Sequence, residues 1–176
     1  MEADPTSRAV PEPDYRVLFA AMPTPLAVLA PDFTIVAVND EYLKVSRTER
    51  AALIGRGIFE AFPDNPDDPG ATGQARLRAS LERVLRTGEP DIMAVQKYDI
   101  RVACGDGARF EERYWSPINT PLMDADGVIT HILHRVEEVT GFTQSLEIAQ
   151  ANRRLREANE DLDVRVVART EELRKE

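Results

Sequence analysis

Residues 26–39, LAVLAPDFTIVAVN, decide the fold of this chain. Two short apolar runs flank the turn pair Pro31-Asp32, which is the pattern of a β-hairpin. Asn39 closes the second run, and its side chain is suited to cap a helix that begins at Asp40. The stretch therefore predicts two antiparallel strands followed directly by a capped helix.

Helical patterns lie on both sides of this hairpin, and each has a recognisable end. Before it, apolar residues from Tyr15 to Met22 recur at helical spacing. Beyond it, the stretch 64–70 has the composition of a surface loop. The predicted helices cover residues 14–22, a segment from 40, and residues 48–54, 58–62 and 75–86, with stops at Pro23, Gly55, Pro63 and Gly88.

Three strand candidates follow the longest helix, over residues 91–100, 110–119 and 128–138. The turns between them, 105–107 and 124–127, combine Gly and Asp as hairpin turns do. Two strands, several short helices and three more strands pack most economically as a five-stranded antiparallel sheet with helices across one face. The predicted fold class is therefore α+β.

Residues 143–176 form a highly charged, heptad-like tail. Asparagine at position a can hydrogen-bond its twin across a parallel two-stranded coiled coil and so fixes the register. The repeat predicts a homodimer joined by a parallel coiled coil, and a solvated helix that packs back on its own domain is the alternative. Position d holds Ile148, Leu155 and Leu162, with Arg169 as an interruption at the last d, and position a holds Ser145, Asn152, Asn159, Val166 and Leu173.

Length and charge limit the classes of function. The 176 residues accommodate one globular domain, assigned to residues 14–142, between a flexible leader over residues 1–13 and the helical tail. The chain has 31 acidic and 22 basic residues and a net charge of −9. Because binding to a phosphate backbone needs a basic surface, we expect no nucleic-acid partner.

The sequence also indicates a cellular location. Cys104 is the only cysteine, so an intrachain disulfide is excluded and a reducing compartment fits. No apolar run reaches the roughly 18–20 residues of a membrane span, and the first residues lack the order of a secretion signal. We therefore expect a cytoplasmic protein without membrane insertion.

Several short motifs, taken in order, resemble the PAS sensory domain family. The hairpin 29–39 looks like the opening strand pair of that family, with its Asn. Leu53-Ile54-Gly55-Arg56, followed by Phe59, resembles the family's leucine-hydrophobe-glycine step. Asp126-Gly127 leading into Glu137-Glu138-Val139-Thr140 resembles the exit from its last strand. The resemblance covers residues 14–142.

This resemblance implies a sensor without catalysis of its own. The stretches 62–66 and 111–117 are similar to a subgroup at the front of bacterial signalling proteins. The tail 166–174 resembles the linkers that lead into an output domain. A C-terminal histidine kinase is the expected output, a phosphatase or a diguanylate cyclase is the alternative, and a ligand-free interaction or dimerisation module is the rival function.

The resemblance also bears on cofactors. Haem-binding members of the family carry a ligating His on the long central helix, and the helix 75–86 has none. Photoactive flavin members carry a reactive Cys just after the second short helix, where this chain has residues 62–65. Because His131 and His134 point to opposite faces of a regular strand, they cannot grip one metal. We expect no cofactor and no metal, and an incidental thiol at Cys104. Both histidines are expected to be structural, with a pH-sensing or ligand-contacting role for His134 as the alternative.

The sequence is also compatible with a pocket for a small apolar or aromatic ligand. Tyr114 and Trp115 alternate across the predicted sheet, so one of them should face the helices and any cavity beneath them. The candidate pocket residues are Phe59, Phe62, Met93, Tyr114, Trp115, His134 and Val136.

Overall fold

A computed structural model describes residues 12–104 and 107–155, so most of the predicted leader lies outside the described residues. The chain forms two units, and the first ends at Glu138. The first unit contains the helices α1 (Tyr15–Ala21), α2 (Asp40–Ser46), α3 (Arg50–Leu53), α4 (Ile58–Ala61) and α5 (Gly73–Thr87). Its strands are β1 (Leu26–Leu29), β2 (Ile35–Val38), β3 (Asp91–Ile92), β4 (Gln96–Lys97), β5 (Ile100–Cys104), β6 (Gly107–Glu111), β7 (Tyr114–Trp115), β8 (Ile118–Met123) and β9 (Ile129–Arg135).

The central sheet has five strands in the order β2-β1-β9-β8-β3. All of its pairings are antiparallel, and β9 lies in the middle, between β1 and β8. This sheet and the short helices confirm the predicted α+β class. Two separate two-stranded ladders, β4 with β7 and β5 with β6, accompany it.

The hairpin β1–β2 closes through a tight turn. The amide of Phe33 donates to the carbonyl of Ala30 at 2.8 Å, and Asp32 Oδ1 accepts from the amide of Thr34 at 3.0 Å. Phe33 has a φ of 70°, a left-handed value that non-glycine residues seldom adopt. The carboxylate of Asp32 supports this turn by bonding to the backbone two residues on.

Two of the predicted strand boundaries are wrong. The stretch 91–100 is divided among β3, β4 and the first residue of β5, and the stretch 110–119 is divided among β6, β7 and β8. Pro117 separates β7 from β8, because a proline has no N–H for the ladder. Strand β8 nevertheless continues past Asn119 to Met123 through Pro121. Because β3 pairs only with Ile118 and Asn119, that side of β8 is open at Pro121.

The core lies between the helices and one face of the sheet. Leu77, Leu81 and Val84, at spacings of four and three residues, form the buried stripe of α5. Gly88 ends this helix with a φ of 68°. The sheet, α3 and α4 bury further apolar side chains against the stripe: Ala27, Leu29, Ile35, Val38, Leu53, Ile58 and Ile132.

The second unit is helical over residues 140–155. Ile148 and Leu155 are 63% and 60% exposed. Asn159, Leu162, Val166 and Leu173 lie outside the described residues, so the long coiled-coil helix stays a prediction. None of the helices in the described part of the chain has the length and apolarity of a bilayer span.

Candidate ligand pocket

A cavity of about 60 Å³ lies between α2, α5 and the inner face of the strands. One water molecule needs roughly 10–15 Å³, so this cavity exceeds a simple packing defect. None of the described side chains that line it carries a formal charge. The lining consists of Tyr42, Val45, Ser46, Ile58, Phe62, Leu77, Gln96, Tyr98, Ile100, Trp115, Pro117, His134 and Val136.

Four of the seven predicted pocket residues line this cavity: Phe62, Trp115, His134 and Val136. Of the two neighbouring aromatics on β7, Trp115 is buried and reaches the cavity, whereas Tyr114 does not. Phe59 packs instead edge-on against Phe33, with ring centroids 5.9 Å apart, and Arg78 lies 4.2 Å above its ring. Met93 packs against the core, with its sulfur 3.6 Å from Asn119 Nδ2.

Sequence reasoning missed several lining residues, above all Gln96 and Tyr98. A signal for them exists, because positions 96, 98 and 100 of one extended segment share a face, and Trp115 pairs with Gln96. Met93 has the opposite parity. Alternation backwards from Ile100 therefore favours Gln96 over Met93 as a pocket residue.

Tyr98 and Trp115 form a fixed wall of the cavity. The indole Nε1 of Trp115 donates to the carbonyl of Tyr98 at 2.8 Å, and the Tyr98 hydroxyl donates to the carbonyl of Phe62. Burial raises the pKa of Tyr98, and that of Tyr42 on α2, above the ordinary phenol value. Both tyrosines therefore stay neutral in the physiological pH range.

His134 begins a chain of buried hydrogen bonds. Its Nδ1 lies 2.7 Å from Asn119 Oδ1, and Asn119 Nδ2 donates to Ser80 Oγ at 2.7 Å. Ser80 in turn bonds to Asp91 Oδ2 at 2.5 Å, and Arg83 pairs with the other carboxylate oxygen at 2.5 Å. His134, Asn119 and Ser80 are at most 3% exposed, whereas Arg83 reaches the surface. The chain thus connects the cavity wall to solvent along α5.

The two histidines of β9 have different surroundings. His134 faces the core, and burial lowers its pKa from 6.5 to about 4. His131, three residues earlier on the strand, is only half-buried. The two rings therefore serve different faces of the sheet, as the alternation of a regular strand requires. The side chain of Cys104 lies outside the described part of the chain.

The low pKa of His134 predicts a pH-dependent stability. In the unfolded chain His134 takes up its proton near pH 6.5, whereas in the folded chain it does so only near pH 4. The folded state therefore has its full stability above pH 6.5 and loses free energy of unfolding as the pH falls from there towards 4. Between pH 7.5 and pH 5, the free energy of unfolding should fall by about 2 kcal/mol more in the wild type than in His134→Gln. Urea denaturation at both pH values measures this. His131→Gln is the matched control and should keep the wild-type loss, and an equal loss in His134→Gln would contradict the prediction.

Comparison with known proteins supports this architecture. A family model described as the PAS fold matches residues 19–144. The PAS domain of BvgS from Bordetella pertussis is 22% identical, with a TM-score of 0.52, over 80% of this chain and 94% of that chain. A LOV protein of Rhodobacter sphaeroides is 17% identical, with a TM-score of 0.51, over 78% and 72%. VqmA bound to DPO is 21% identical, with a TM-score of 0.51, over 70% and 56%. At these identities the solved structures share the fold.

Proposed function

The chain belongs to the PAS fold family, and from this membership we propose that it is the cytoplasmic, dimeric sensor domain of a signalling protein. It detects a small, largely apolar molecule and has no catalytic activity of its own. The signal passes through the C-terminal helix to an output domain, which we propose to be a histidine kinase. A phosphatase or a diguanylate cyclase is the alternative output.

The cavity is the observation that carries this proposal. It lies in the core, is lined largely by apolar and aromatic side chains, and also contains polar groups that can orient a molecule. Pockets of this composition are typical of small-molecule sites. VqmA, which has the same fold, has been solved with DPO bound, so a ligand is compatible with this architecture.

Backbone bonds next to the cavity support transmission to the C-terminal side. Trp115 forms a β-bridge with Glu138, and the amide of Ser116 donates to the carbonyl of Glu137 at 2.9 Å. Arg113 adds an ion pair to Glu138 at 3.5 Å. A ligand that displaces Trp115 would therefore act on the residues that end the first unit, two positions before the helix 140–155 begins.

Dimerisation rests on the heptad pattern. Ile148 and Leu155 belong to the proposed seam and are exposed in the single chain, as side chains reserved for a second chain would be. Asn152, between them at position a, is exposed as well. A second copy that packs along this seam would bury both apolar side chains.

A specific observation favours the rival function, a ligand-free dimerisation module. Helix α1 exposes Tyr15 by 64%, Val17 by 63% and Leu18 by 46%, an apolar surface that a partner could bury without any ligand. The two functions differ in the role of the cavity. Only the sensor loses function when the cavity is filled.

Filling the cavity tests the sensor function. We expect Val45→Phe to abolish the rise in melting temperature that small aromatic molecules give the wild-type chain, because its ring takes the space that a ligand needs. The matched control, Val36→Phe, changes an exposed valine on β2 and should keep the response. Thermal denaturation with a panel of such molecules gives the answer, and native mass spectrometry of the same samples should show the dimer. A wild-type chain that dimerises but responds to no molecule would favour the rival module.

A further inference from the structure

The carboxylate of Asp91 determines which group donates in each of the buried hydrogen bonds that lead from His134 to Asp91. The hydrogen bond from Ser80 holds the pKa of the Asp91 carboxyl below its ordinary value, so this group is an ionised acceptor. Ser80 must therefore use its only hydroxyl proton on Asp91. Its oxygen is then left to accept, and the group that donates to it is Asn119 Nδ2.

The same logic sets the tautomer of His134. With Nδ2 of Asn119 directed at Ser80, the amide oxygen Oδ1 faces His134 Nδ1 at 2.7 Å. Because an amide oxygen only accepts, Nδ1 must carry the proton. A neutral imidazole with a proton on Nδ1 has a lone pair on Nε2. That second nitrogen is therefore an acceptor, on a side chain that lines the cavity.

Another polar side chain of the cavity wall has a buried atom without a partner in the described part of the structure. Gln96 on β4 is 5% exposed, and its Oε1 is buried without a hydrogen bond in the described part of the structure. Buried polar atoms are almost always paired, because an unsatisfied one costs roughly 1–3 kcal/mol. Ser46, by contrast, is satisfied, since it bonds to the carbonyl of Tyr42 at 2.6 Å and to Thr48 Oγ1 at 2.7 Å.

From these directions we propose that the cavity binds a compact, neutral, ring-shaped or branched molecule with an O–H or N–H group that donates a hydrogen bond to His134 Nε2 or Gln96 Oε1. This inference rests on the proposed sensor function and adds the chemical class of the ligand. A charged molecule is excluded because no described residue of the lining offers a countercharge. An isosteric molecule that can only accept leaves the lone pair of His134 Nε2 unsatisfied.

Five-membered rings of equal size test this class. Pyrrole has an N–H donor, furan has an acceptor at the same position, and pyrrolidine is a cation at pH 7.5. In NMR titrations of the full chain at pH 7.5, pyrrole should bind at least about fivefold more tightly than furan, the ratio for one hydrogen bond of ordinary strength. Pyrrolidine should not bind. The ¹⁵N spectrum of His134 should show the proton on Nδ1, and its Nε2 signal should shift when pyrrole is added.

Two variants assign the preference to its residue. His134→Phe or Gln96→Leu should reduce the ratio of pyrrole to furan affinity, whereas His131→Phe, on the opposite face of β9, should leave it unchanged. If neither cavity variant folds, the ratio of pyrrole to furan affinity of the wild-type chain and the His134 tautomer in its ¹⁵N spectrum still test the ligand class. Equal binding of pyrrole and furan, or a proton on Nε2, would overturn the ligand class and leave the sensor function standing. If none of the three rings binds, both the ligand class and a ligand sensor are overturned.

Discussion

Replacing Asn39 with alanine should lower the free energy of unfolding by about 3–5 kcal/mol, well above the loss of an ordinary helix cap. The side chain of Asn39 is fully buried. Its Oδ1 accepts from the amides of Tyr42 and Leu26, both at 3.0 Å. Its Nδ2 donates to the carbonyl of Thr24 at 2.7 Å and to that of Met22 at 3.2 Å. Alanine would remove the partner of four backbone groups, in two buried and two part-buried hydrogen bonds.

Two comparisons make this prediction specific. Asn39→Asp keeps the oxygen that accepts from Tyr42 and Leu26 but places a carboxylate oxygen against the carbonyls of Thr24 and Met22. Because a buried carboxylate facing two acceptors is unfavourable, the loss for Asn39→Asp should be at least as large as that for the alanine variant. Asp14 caps α1 in the same way, through the amides of Arg16 and Val17, but lies at the surface. Asp14→Ala should cost only about 1 kcal/mol. Urea denaturation of the three variants measures the series, and equal losses for Asn39→Ala and Asp14→Ala would contradict the structural role of Asn39.

The predictable part of the fold is the part with local signals. Pro31-Asp32 makes the turn, and Asn39 lies one residue before the helix that it caps, so short windows of sequence contain the hairpin and the cap. The hydrogen bonds that Asn39 Nδ2 donates could not be predicted from a short window. Met22 and Thr24 precede it by 17 and 15 residues, and no spacing rule connects them.

The candidate site was only partly predictable, because it depends on contacts between distant segments. Alternation places His131 and His134 on opposite faces but does not say which face is the core. The hydrogen bonds that orient His134 connect distant residues. Asn119 and His134 are 15 positions apart, and Ser80 and Asn119 are 39 positions apart. No local signal in the sequence indicates that the ring of Phe59 lies against Phe33 and beneath Arg78 rather than in the pocket.

The second large effect is expected at Gly73, where a single methyl group should destabilise the chain. Within the first turn of a helix, Gly→Ala normally stabilises by about 0.5–1 kcal/mol. At Gly73, however, an added Cβ would lie 2.6 Å from Cε2 of the Tyr98 ring and closer still to Cδ2. Gly73→Ala should therefore lower the free energy of unfolding by about 3 kcal/mol, the upper range for overpacking. The methyl group also pushes on the cavity wall that Tyr98 forms.

The ring of Tyr98 cannot easily yield, since its hydroxyl donates to the carbonyl of Phe62 and its own carbonyl accepts from Trp115. Gly141→Ala is the matched control, because Gly141 lies in the helix 140–155 with nothing within 4 Å of an added Cβ, and it should be neutral or stabilising. The double variant Gly73→Ala/Tyr98→Ala identifies the cause. If the ring is the obstacle, the double variant should be no less stable than Tyr98→Ala alone. A Gly73→Ala chain as stable as the wild type would instead mean that Tyr98 swings aside at little cost, and the cavity would then have a movable wall at this ring.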